Sequence, residues 1–228
     1  MNQVTAKIIE IKKLTAEISE FVLQLSEKIE FKPGQFVMLQ IPPVENKIVR
    51  AYSVVSYNSD SWKLTLAIKF TGWTWTTWLF KRKLWDEVLL SWAFWHFFVK
   101  NEKENLNFFA TGIGLPPLVC QLTDLFKNWT EKKINLFFGL RTSKDLYYTA
   151  FLEKLAKVNS NFHFHYCLSR EEKDWTFNGY VTNHPELEKI DWVNSEAYYC
   201  GSVPVVKDLK EKLFWLGLEK KFFVSEAF

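Results

Sequence analysis

Over the first hundred residues, apolar and polar side chains alternate in short runs, a period of two that is typical of β-strands with one buried face. Turn residues separate the runs at Pro33-Gly34, Pro42-Pro43 and Asn58-Ser59-Asp60. The alternation predicts strands over residues 6–14, 18–25, 35–41, 50–57, 63–70 and 87–91, and a short helix over residues 76–83. Short strands at this spacing favour an antiparallel barrel.

The rest of the chain has a different rhythm, in which strand-like apolar runs alternate with amphipathic helical runs. A charged, asparagine-rich stretch over residues 100–107 separates the halves, so we expect domains at residues 1–100 and 101–228. The pattern predicts strands over residues 106–110, 134–138, 162–168, 197–200 and 222–225, with helices over residues 115–126, 150–158 and 205–216. Such βαβ alternation predicts a doubly wound α/β domain on a parallel sheet, with ligand sites at the carboxyl ends of its strands.

Composition narrows the class of protein. With 228 residues, 48% of them apolar, the chain is long enough to bury two cores. It has no apolar run of the roughly 18 to 20 residues that a membrane helix needs, and its first residues are rich in Lys and Glu. We therefore expect a soluble protein that has no signal peptide and does not enter a membrane. A net charge of +3, with both signs mixed throughout, argues against a nucleic-acid binder and leaves room for an acidic protein partner.

The cysteines and histidines bear on two questions, the cellular compartment and whether the chain binds a metal. Cys120, Cys167 and Cys200 are odd in number and far apart, so they match neither a disulfide framework nor an iron–sulfur spacing. The four histidines are also too scattered to predict a metal site. A reducing, cytoplasmic location is the expectation.

Two short motifs suggest nucleotide binding. A glycine turn with Gly112 and Gly114 lies between a predicted strand and helix, where backbone N–H groups can approach a pyrophosphate. In the first half, Arg50 and Tyr52 are two residues apart and so share one face of a predicted strand. There an Arg can bind a phosphate, a Tyr can lie against a flat ring, and the Ser53 hydroxyl can hydrogen-bond a ring nitrogen. Taken singly, a tight βα turn and an edge strand explain these residues equally well.

Taken in order, the motifs carry a resemblance. They are Phe31–Phe36 (FKPGQF), Arg50–Ser53 (RAYS), Asp86–Ser91 (DEVLLS), Ala110–Gly114 (ATGIG) with Pro117, Gly139–Thr142 (GLRT), Leu168–Glu171 (LSRE), Gly179–Val181 (GYV), Tyr199–Gly201 (YCG) and Glu226–Phe228 (EAF). Over nearly its whole length, the chain resembles the ferredoxin–NADP reductase superfamily of flavoproteins. The resemblance implies an N-terminal Greek-key barrel that binds FAD and a C-terminal NAD(P) domain, with hydride passing between the two cofactors.

The resemblance also implies roles for residues of the first half. Arg50, followed by Ala51, matches the residue that holds the FAD pyrophosphate, and Tyr52 matches the one that packs on the isoalloxazine. Ser53 matches the residue that hydrogen-bonds near the flavin N5, and Thr76 with Thr77 matches the start of a helix that caps the FAD phosphates.

In the second half, the resemblance assigns Thr111, Gly112, Gly114 and Pro117 to the nicotinamide-nucleotide turn, and Cys200 with Gly201 to the pair beside the nicotinamide. Ser169 and Arg170 match the pair that contacts a 2′-phosphate, which favours NADP over NAD. Arg141 belongs to the neighbouring cofactor motif and Glu226 to the closing one. Phe228 matches a C-terminal aromatic that shields the flavin. Ser53, Cys200 and Phe228 are thus the residues expected nearest the reacting atoms.

Tryptophan stands at several positions where the family has glycine. The chain has eight Gly, against the roughly 16 that the usual ~7% would give, and eleven Trp. The affected positions are Trp62, Trp73, Trp75, Trp85, Trp92 and Trp95, with Trp129 at a predicted helix end as a seventh. We interpret these residues as glycines encoded by UGA in a lineage that reads UGA as glycine, translated here as tryptophan. The alternative is a genuinely aromatic-rich protein whose FAD loop is crowded.

Three functions remain open at this point. The first is an FAD-dependent reductase that exchanges electrons with a separate carrier, a ferredoxin or flavodoxin, because three scattered cysteines cannot hold a cluster in this chain. The second is an NAD(P)H:flavin reductase that releases reduced flavin. The third is an electron-transfer subunit that works only when docked on a dehydrogenase or oxygenase. Direction of electron flow and oligomeric state stay open.

Overall fold

The computed structural model describes residues 3–40, 48–56, 62–95 and 97–228, apart from the side chains of residues 92–95. The chain divides into two compact units. The first is Met1–Phe98 with Val119–Leu125, and the second is Val99–Leu118 with Phe126–Phe228. The main division falls close to the expected boundary at residue 100, but a short helical segment from the second half groups with the first unit.

The first unit contains an antiparallel sheet. Its elements are β1 (Gln3–Lys13), β2 (Ile18–Leu25), β3 (Gln35–Gln40), β4 (Val49–Ser53), β5 (Lys63–Lys69), helix α1 (Thr74–Leu79) and β6 (Glu87–Trp95). The strands pair in the order β4-β3-β6-β1-β2-β5, and every pair is antiparallel. A bridge between Val54 and Leu66 joins the two ends of this order, as in the predicted barrel.

Alternating side chains form the core of this unit. In β1, Val4, Ala6 and Ile8 are buried, and they pack with buried residues of β2 such as Phe21 and Leu23. Among the predicted element bounds, the helix expected over residues 76–83 was misplaced. It begins at Thr74 and ends at Leu79, because the chain then enters a turn in which the Asp86 carboxylate accepts the Lys83 N–H. The strand expected over residues 50–57 was too long, since it ends at Ser53, and the predicted end at residue 41 lies outside the described residues.

The second unit contains a parallel sheet covered by helices. Its elements are β7 (Asn105–Thr111), α2 (Leu115–Lys127), β8 (Lys133–Leu140), α3 (Thr149–Val158), β9 (Phe162–Leu168), β10 (Phe177–Asn178), β11 (Ser195–Gly201), α4 (Val203–Trp215) and β12 (Phe223–Ala227). The strand order is β10-β9-β8-β7-β11-β12, and all pairs are parallel. The chain leaves β7 towards β8 and later returns to its other side as β11, which makes the gap between β7 and β11 the topological switch point.

Burial explains why this half was predicted closely. Every residue of β11 is buried, as is most of β7 and β8, so the strands read as continuous apolar runs, as expected of a sheet covered on both faces. Each predicted strand and helix of this half ends within two residues of the observed element. The short β10 was missed, because two residues in a loop carry no periodic signal. Within the described ranges, no helix has the length and apolar character needed to cross a membrane.

Candidate functional site

The carboxyl edge of the parallel sheet collects most of the predicted nucleotide-binding residues. Thr111 ends β7 and Gly201 ends β11, on the two sides of the switch point. Arg141 directly follows β8, and Ser169 with Arg170 directly follows β9. The fold therefore brings together residues that are far apart in sequence, at the edge where open α/β sheets bind their ligands.

Two glycines allow the ends of β7 and β11 to meet. A Cβ atom added at Gly114 would lie 1.9 Å from the Cys200 carbonyl oxygen. One added at Gly201, which has φ +150°, would lie 2.1 Å from the Thr111 hydroxyl oxygen. Neither distance is compatible with a side chain, so only glycine permits this backbone packing.

Hydrogen bonds connect Thr111 with the start of α4. The Thr111 hydroxyl lies 2.8 Å from the Tyr199 hydroxyl, which donates to the Ser202 carbonyl at 2.7 Å. The Ser202 N–H in turn donates to the Thr111 hydroxyl at 3.1 Å. Burial raises the pKa of Tyr199, so it is a neutral donor at neutral pH. Sequence reasoning included Tyr199 in the YCG motif without giving it a role and did not select Ser202, although both flank the predicted Cys200-Gly201 pair.

A hydrogen bond from Tyr147, in the loop that precedes α3, holds the glycine turn. Gly112 has φ +56°, and its carbonyl accepts a hydrogen bond from the buried Tyr147 hydroxyl at 2.9 Å. Helix α2 starts directly after the turn and carries Pro116 and Pro117 in its first turn, where a missing N–H costs nothing. The positive end of this 13-residue helix therefore lies at the switch point, which suits an anion.

Arg170, predicted near the 2′-phosphate, and Arg141, predicted to bind a cofactor, lie on adjacent strand ends. The Ser169 N–H donates to the Leu140 carbonyl, and the Arg170 N–H donates to the Arg141 carbonyl, both at 3.0 Å. Arg141 and Arg170 are exposed. Two guanidinium groups on neighbouring backbone positions make this corner suitable for a phosphate group.

Cys200 has the properties of a neutral packing group. It is fully buried, and burial, followed by the charge of Glu226, raises the pKa of its thiol well above the ordinary value. Glu226 lies on β12 in register with Cys200, and the Phe228 N–H donates to the Gly201 carbonyl at 3.0 Å. The Phe228 side chain is 59% exposed. A protonated thiol cannot act as a nucleophile, so any role of Cys200 is positional.

In the first unit, the predicted flavin residues lie on β4. Arg50 and Ala51 are exposed, and one Arg50 nitrogen donates to the Val49 carbonyl at 2.9 Å. Tyr52 and Ser53 are half-buried, and burial raises the pKa of Tyr52 to about 12. Arg50 and Tyr52 share one face of the strand, as the alternation predicted.

The hydroxyls of Thr76 and Thr77 are used inside their own loop. Thr76 is buried and bonds the Trp73 carbonyl at 3.2 Å and Thr71, while Thr77 bonds the Gly72 carbonyl at 3.2 Å. These hydrogen bonds lie within residues 71–77, and the predicted contact of the two threonines with FAD phosphates stays a prediction. The two side chains hold the loop at the start of α1 in shape.

Trp75 takes the space beside Tyr52. The two rings stack with centroids 6.1 Å apart and planes 25° apart, and the indole N–H donates to the Tyr52 hydroxyl. Trp75 is 4% exposed and also stacks on Trp78 at 5.7 Å. Arg50 is exposed, whereas Trp75 fills the space next to the ring that is expected to pack on a flavin. The side chains of Trp92 and Trp95, two of the suspected glycine positions, lie outside the described residues.

The glycine turn and strand ends of the second unit thus suit a dinucleotide. In the first unit the strand that carries Arg50 and Tyr52 is in place for FAD, but Trp75 occupies the space beside Tyr52. In the described part of the chain, no group of three His, Cys, Asp or Glu side chains is placed to hold a metal ion. An antiparallel barrel followed by a parallel sheet with a glycine turn at its switch point defines the class of two-domain oxidoreductases that use a flavin and a nicotinamide.

Comparison with known proteins identifies the family. The family model described as oxidoreductase FAD-binding domain matches residues 5–88, and that described as oxidoreductase NAD-binding domain matches residues 108–211. The chain belongs to the ferredoxin–NADP reductase-like family of flavoprotein oxidoreductases. The two matched segments follow the division into two units.

Individual relatives are similar over nearly all of this chain. The electron transfer component of toluate 1,2-dioxygenase from Pseudomonas putida is 28% identical over 93% of this chain and 65% of its own length. The phenol hydroxylase P5 protein of Acinetobacter pittii is 31% identical over 97% of this chain and 66% of its own length. A ferredoxin NADP+ reductase from Neisseria gonorrhoeae, solved with bound FAD and NADP, superimposes with a TM-score of 0.86 at 22% identity, over 100% and 99% of the two chains. The chain spans slightly less than two thirds of the two curated relatives.

Proposed function

We propose that this protein is an FAD-dependent reductase that takes a hydride from NAD(P)H and passes the two electrons, one at a time, to a separate protein carrier. The observation that carries the proposal is the switch point of the second unit, where Gly114 and Gly201 let two strand ends close around a helix N-terminus. The names of the two curated relatives, an electron transfer component and a phenol hydroxylase protein, are consistent with it.

The chain's own residues bind and orient rather than act as acids or bases. FAD, when bound, supplies the step from two-electron to one-electron transfer. The N–H groups of the glycine turn and the start of α2 hold a pyrophosphate, and Arg141 with Arg170 holds a 2′-phosphate. These two arginines favour NADP over NAD. On the flavin side, Arg50 holds a phosphate, and Tyr52 and Ser53 orient the ring.

The carrier is proposed to be a small acidic ferredoxin or flavodoxin. A net charge of +3 favours an acidic partner, and the three cysteines are all free and buried, which supports a one-electron centre outside these 228 residues. Three free thiols also support the cytoplasmic location.

The test is a reconstitution with the full chain. The protein is mixed with excess FAD, desalted, scanned in the visible and then given NADPH or NADH without oxygen. Bleaching of retained flavin, followed by reduction of an added ferredoxin or flavodoxin, is the expected result. Retained flavin that neither nucleotide reduces would overturn the proposal.

A second candidate is the flavin reductase that releases its product, and Trp75 favours it. An indole stacked beside Tyr52 competes with a tightly held isoalloxazine. Turnover that depends on added flavin after desalting would support this candidate. Turnover that appears only with a dehydrogenase or oxygenase partner would instead support the subunit hypothesis.

A further inference from the structure

Tyr199 and its neighbour Tyr198 are both fully buried on β11, yet their hydroxyls do different things. Tyr198 bonds the Glu196 carboxylate and accepts the Lys100 N–H at 2.8 Å, so it secures the segment that leads into β7. Tyr199 points to the other face, because successive side chains alternate. Its hydroxyl reaches Thr111 and Ser202 at the carboxyl edge.

The hydrogen-bond directions around Tyr199 are determined by chemistry. Its single proton goes to the Ser202 carbonyl, which can only accept. Its oxygen must then accept the proton of Thr111, while the Thr111 oxygen accepts from the Ser202 N–H. The three residues form a closed ring of hydrogen bonds that uses the Thr111 proton.

This ring changes the role expected of Thr111. A nucleotide phosphate needs donors, and the Thr111 hydroxyl has no proton left to donate. We propose that Tyr199 is a positioning residue for the nicotinamide nucleotide, acting through Thr111 and Ser202 to hold the Gly201 backbone against β7. The Thr111 hydroxyl lies against Gly201, since a Cβ atom added there would be 2.1 Å from its oxygen, and it accepts the N–H of the next residue, Ser202, at 3.1 Å. The assignment rests on the proposed nucleotide site.

The test measures binding of NADP+ to the full chain by calorimetry, which needs no flavin. Tyr199→Phe leaves two polar groups without partners and is expected to weaken NADP+ binding about tenfold. It should leave the affinity for 2′-phospho-AMP, a probe for the arginine corner alone, within about twofold. Tyr198→Phe is the matched control, because it removes a buried tyrosine hydroxyl one residue away. It should lower the unfolding midpoint without changing NADP+ affinity.

A double variant separates positioning from simple loss of stability. If Tyr199 acts through Thr111, then Thr111→Val combined with Tyr199→Phe should weaken NADP+ binding no more than either change alone. Additive losses, or an unchanged affinity in Tyr199→Phe, would overturn the assignment. A parent protein that binds neither NADP+ nor 2′-phospho-AMP would instead refute the proposed function.

A second, independent inference comes from the backbone at two tryptophans. Trp85 has φ +72° and is 68% exposed, and Trp129 has φ +54° and is 89% exposed. A non-glycine residue in the left-handed region lowers the equilibrium constant for folding by a factor of about five to thirty. Neither indole gains burial that offsets this cost. Trp129 follows the end of α2 at Lys127, in the place where helices commonly end with glycine.

Trp62, Trp73 and Trp75 do not have this backbone signal, because none of them lies in the left-handed region. Trp73 is 78% exposed at the start of α1 and makes no side-chain cap, and the Trp62 carbonyl accepts two hydrogen bonds while its indole is 42% exposed. We infer that residues 85 and 129, the two tryptophans in the left-handed region, are glycines in the protein as its own cells make it, encoded by UGA.

Paired substitutions at the left-handed positions test this inference. Trp85→Gly and Trp129→Gly should each be more stable than the corresponding Ala variants, by about fivefold in the unfolding equilibrium. Trp215 is the control, because it is 78% exposed but is the last residue of helix α4, where Ala should be the better residue. Ala variants that equal the Gly variants at both positions, or UGG codons at both positions in the gene, would overturn the inference.

Discussion

The two cofactor loops of this protein differ in what occupies their closest backbone positions. In the second unit, Gly114 and Gly201 stand where a Cβ atom would meet backbone or hydroxyl oxygens within about 2 Å. In the first unit, the loop before α1 has Trp73, which is exposed, and Trp75, which is buried against Tyr52. The barrel keeps its strand order all the same. The comparison teaches that this fold accommodates a bulky residue by exposing it, as at Trp73, or by packing it into the core, as at Trp75, whereas the close backbone contacts at Gly114 and Gly201 leave room for neither.

The largest effect is expected from Gly201→Ala. The added methyl group meets the Thr111 hydroxyl at 2.1 Å and the backbone has φ +150°, so we expect a loss of about 3 kcal/mol in unfolding free energy and no measurable NADP+ binding. Urea unfolding and calorimetry measure both. Gly217→Ala is the control, since its φ is +109° but its nearest contact would be at 3.9 Å. An equal loss in the control would show that the close approach is unimportant.

The next effect concerns the first unit. Trp75→Gly removes a ring that stacks on Tyr52 and hydrogen-bonds its hydroxyl. A flavin that binds beside Tyr52 must otherwise break these two interactions, which together stabilise the unbound protein by about 2 kcal/mol. FAD should therefore bind about thirtyfold more tightly, as measured by quenching of flavin fluorescence. Trp75→Phe keeps an aromatic ring there and should improve binding much less. If the Phe variant binds FAD as well as the Gly variant, the space beside Tyr52 is not what limits binding.

A smaller effect is expected at the arginine corner of the second unit. Arg170→Ala removes a charge-assisted contact with the 2′-phosphate, so the KM for NADPH should rise about tenfold while that for NADH stays the same. Steady-state reduction of ferricyanide measures both constants. An equal change for the two nucleotides would show that Arg170 does not distinguish them.

The smallest effect is a pH dependence confined to the second unit. Burial, with the neighbouring His184, lowers the pKa of His165 to about 4. In the unfolded chain His165 takes up a proton near pH 6.5, whereas in the folded protein it stays neutral until the pH is near 4. Its contribution to the free energy of unfolding is therefore fully present above pH 6.5 and is lost as the pH falls towards 4. After allowance for solvent screening, we expect a loss of about 1 kcal/mol between pH 7 and pH 5 in urea unfolding.

Three of the four histidines, including His165, belong to the second unit, so the unfolding of the first unit should change less over this range. His165→Phe keeps the stacking on Phe137, whose ring lies 4.8 Å from that of His165, and should flatten the dependence. A slope that is unchanged in this variant would assign the effect to other groups.

Sequence patterns predicted the second half more closely than the first. Strands such as β9 and β11 are buried on both faces, so their apolar runs and the intervening helices can be read directly. In the first half, the helix bounds were wrong because Thr74–Leu79 is short and is determined by bonds within its loop rather than by a long amphipathic pattern.

By itself, the sequence determined the two-part organisation, the positions of the glycine turn and the Arg50–Ser53 strand, and the excess of tryptophan over glycine. These follow from local periodicity and residue chemistry, which need no distant partner. Only the tertiary structure decided that Tyr199 and Ser202 complete a hydrogen-bonded ring with Thr111, that Thr76 and Thr77 bond their own loop, and that Trp75 lies on Tyr52. The ring joins residues up to 91 positions apart, which the pairing of β7 with β11 brings within bonding distance, and the loop bonds depend on a backbone conformation that no sequence period specifies.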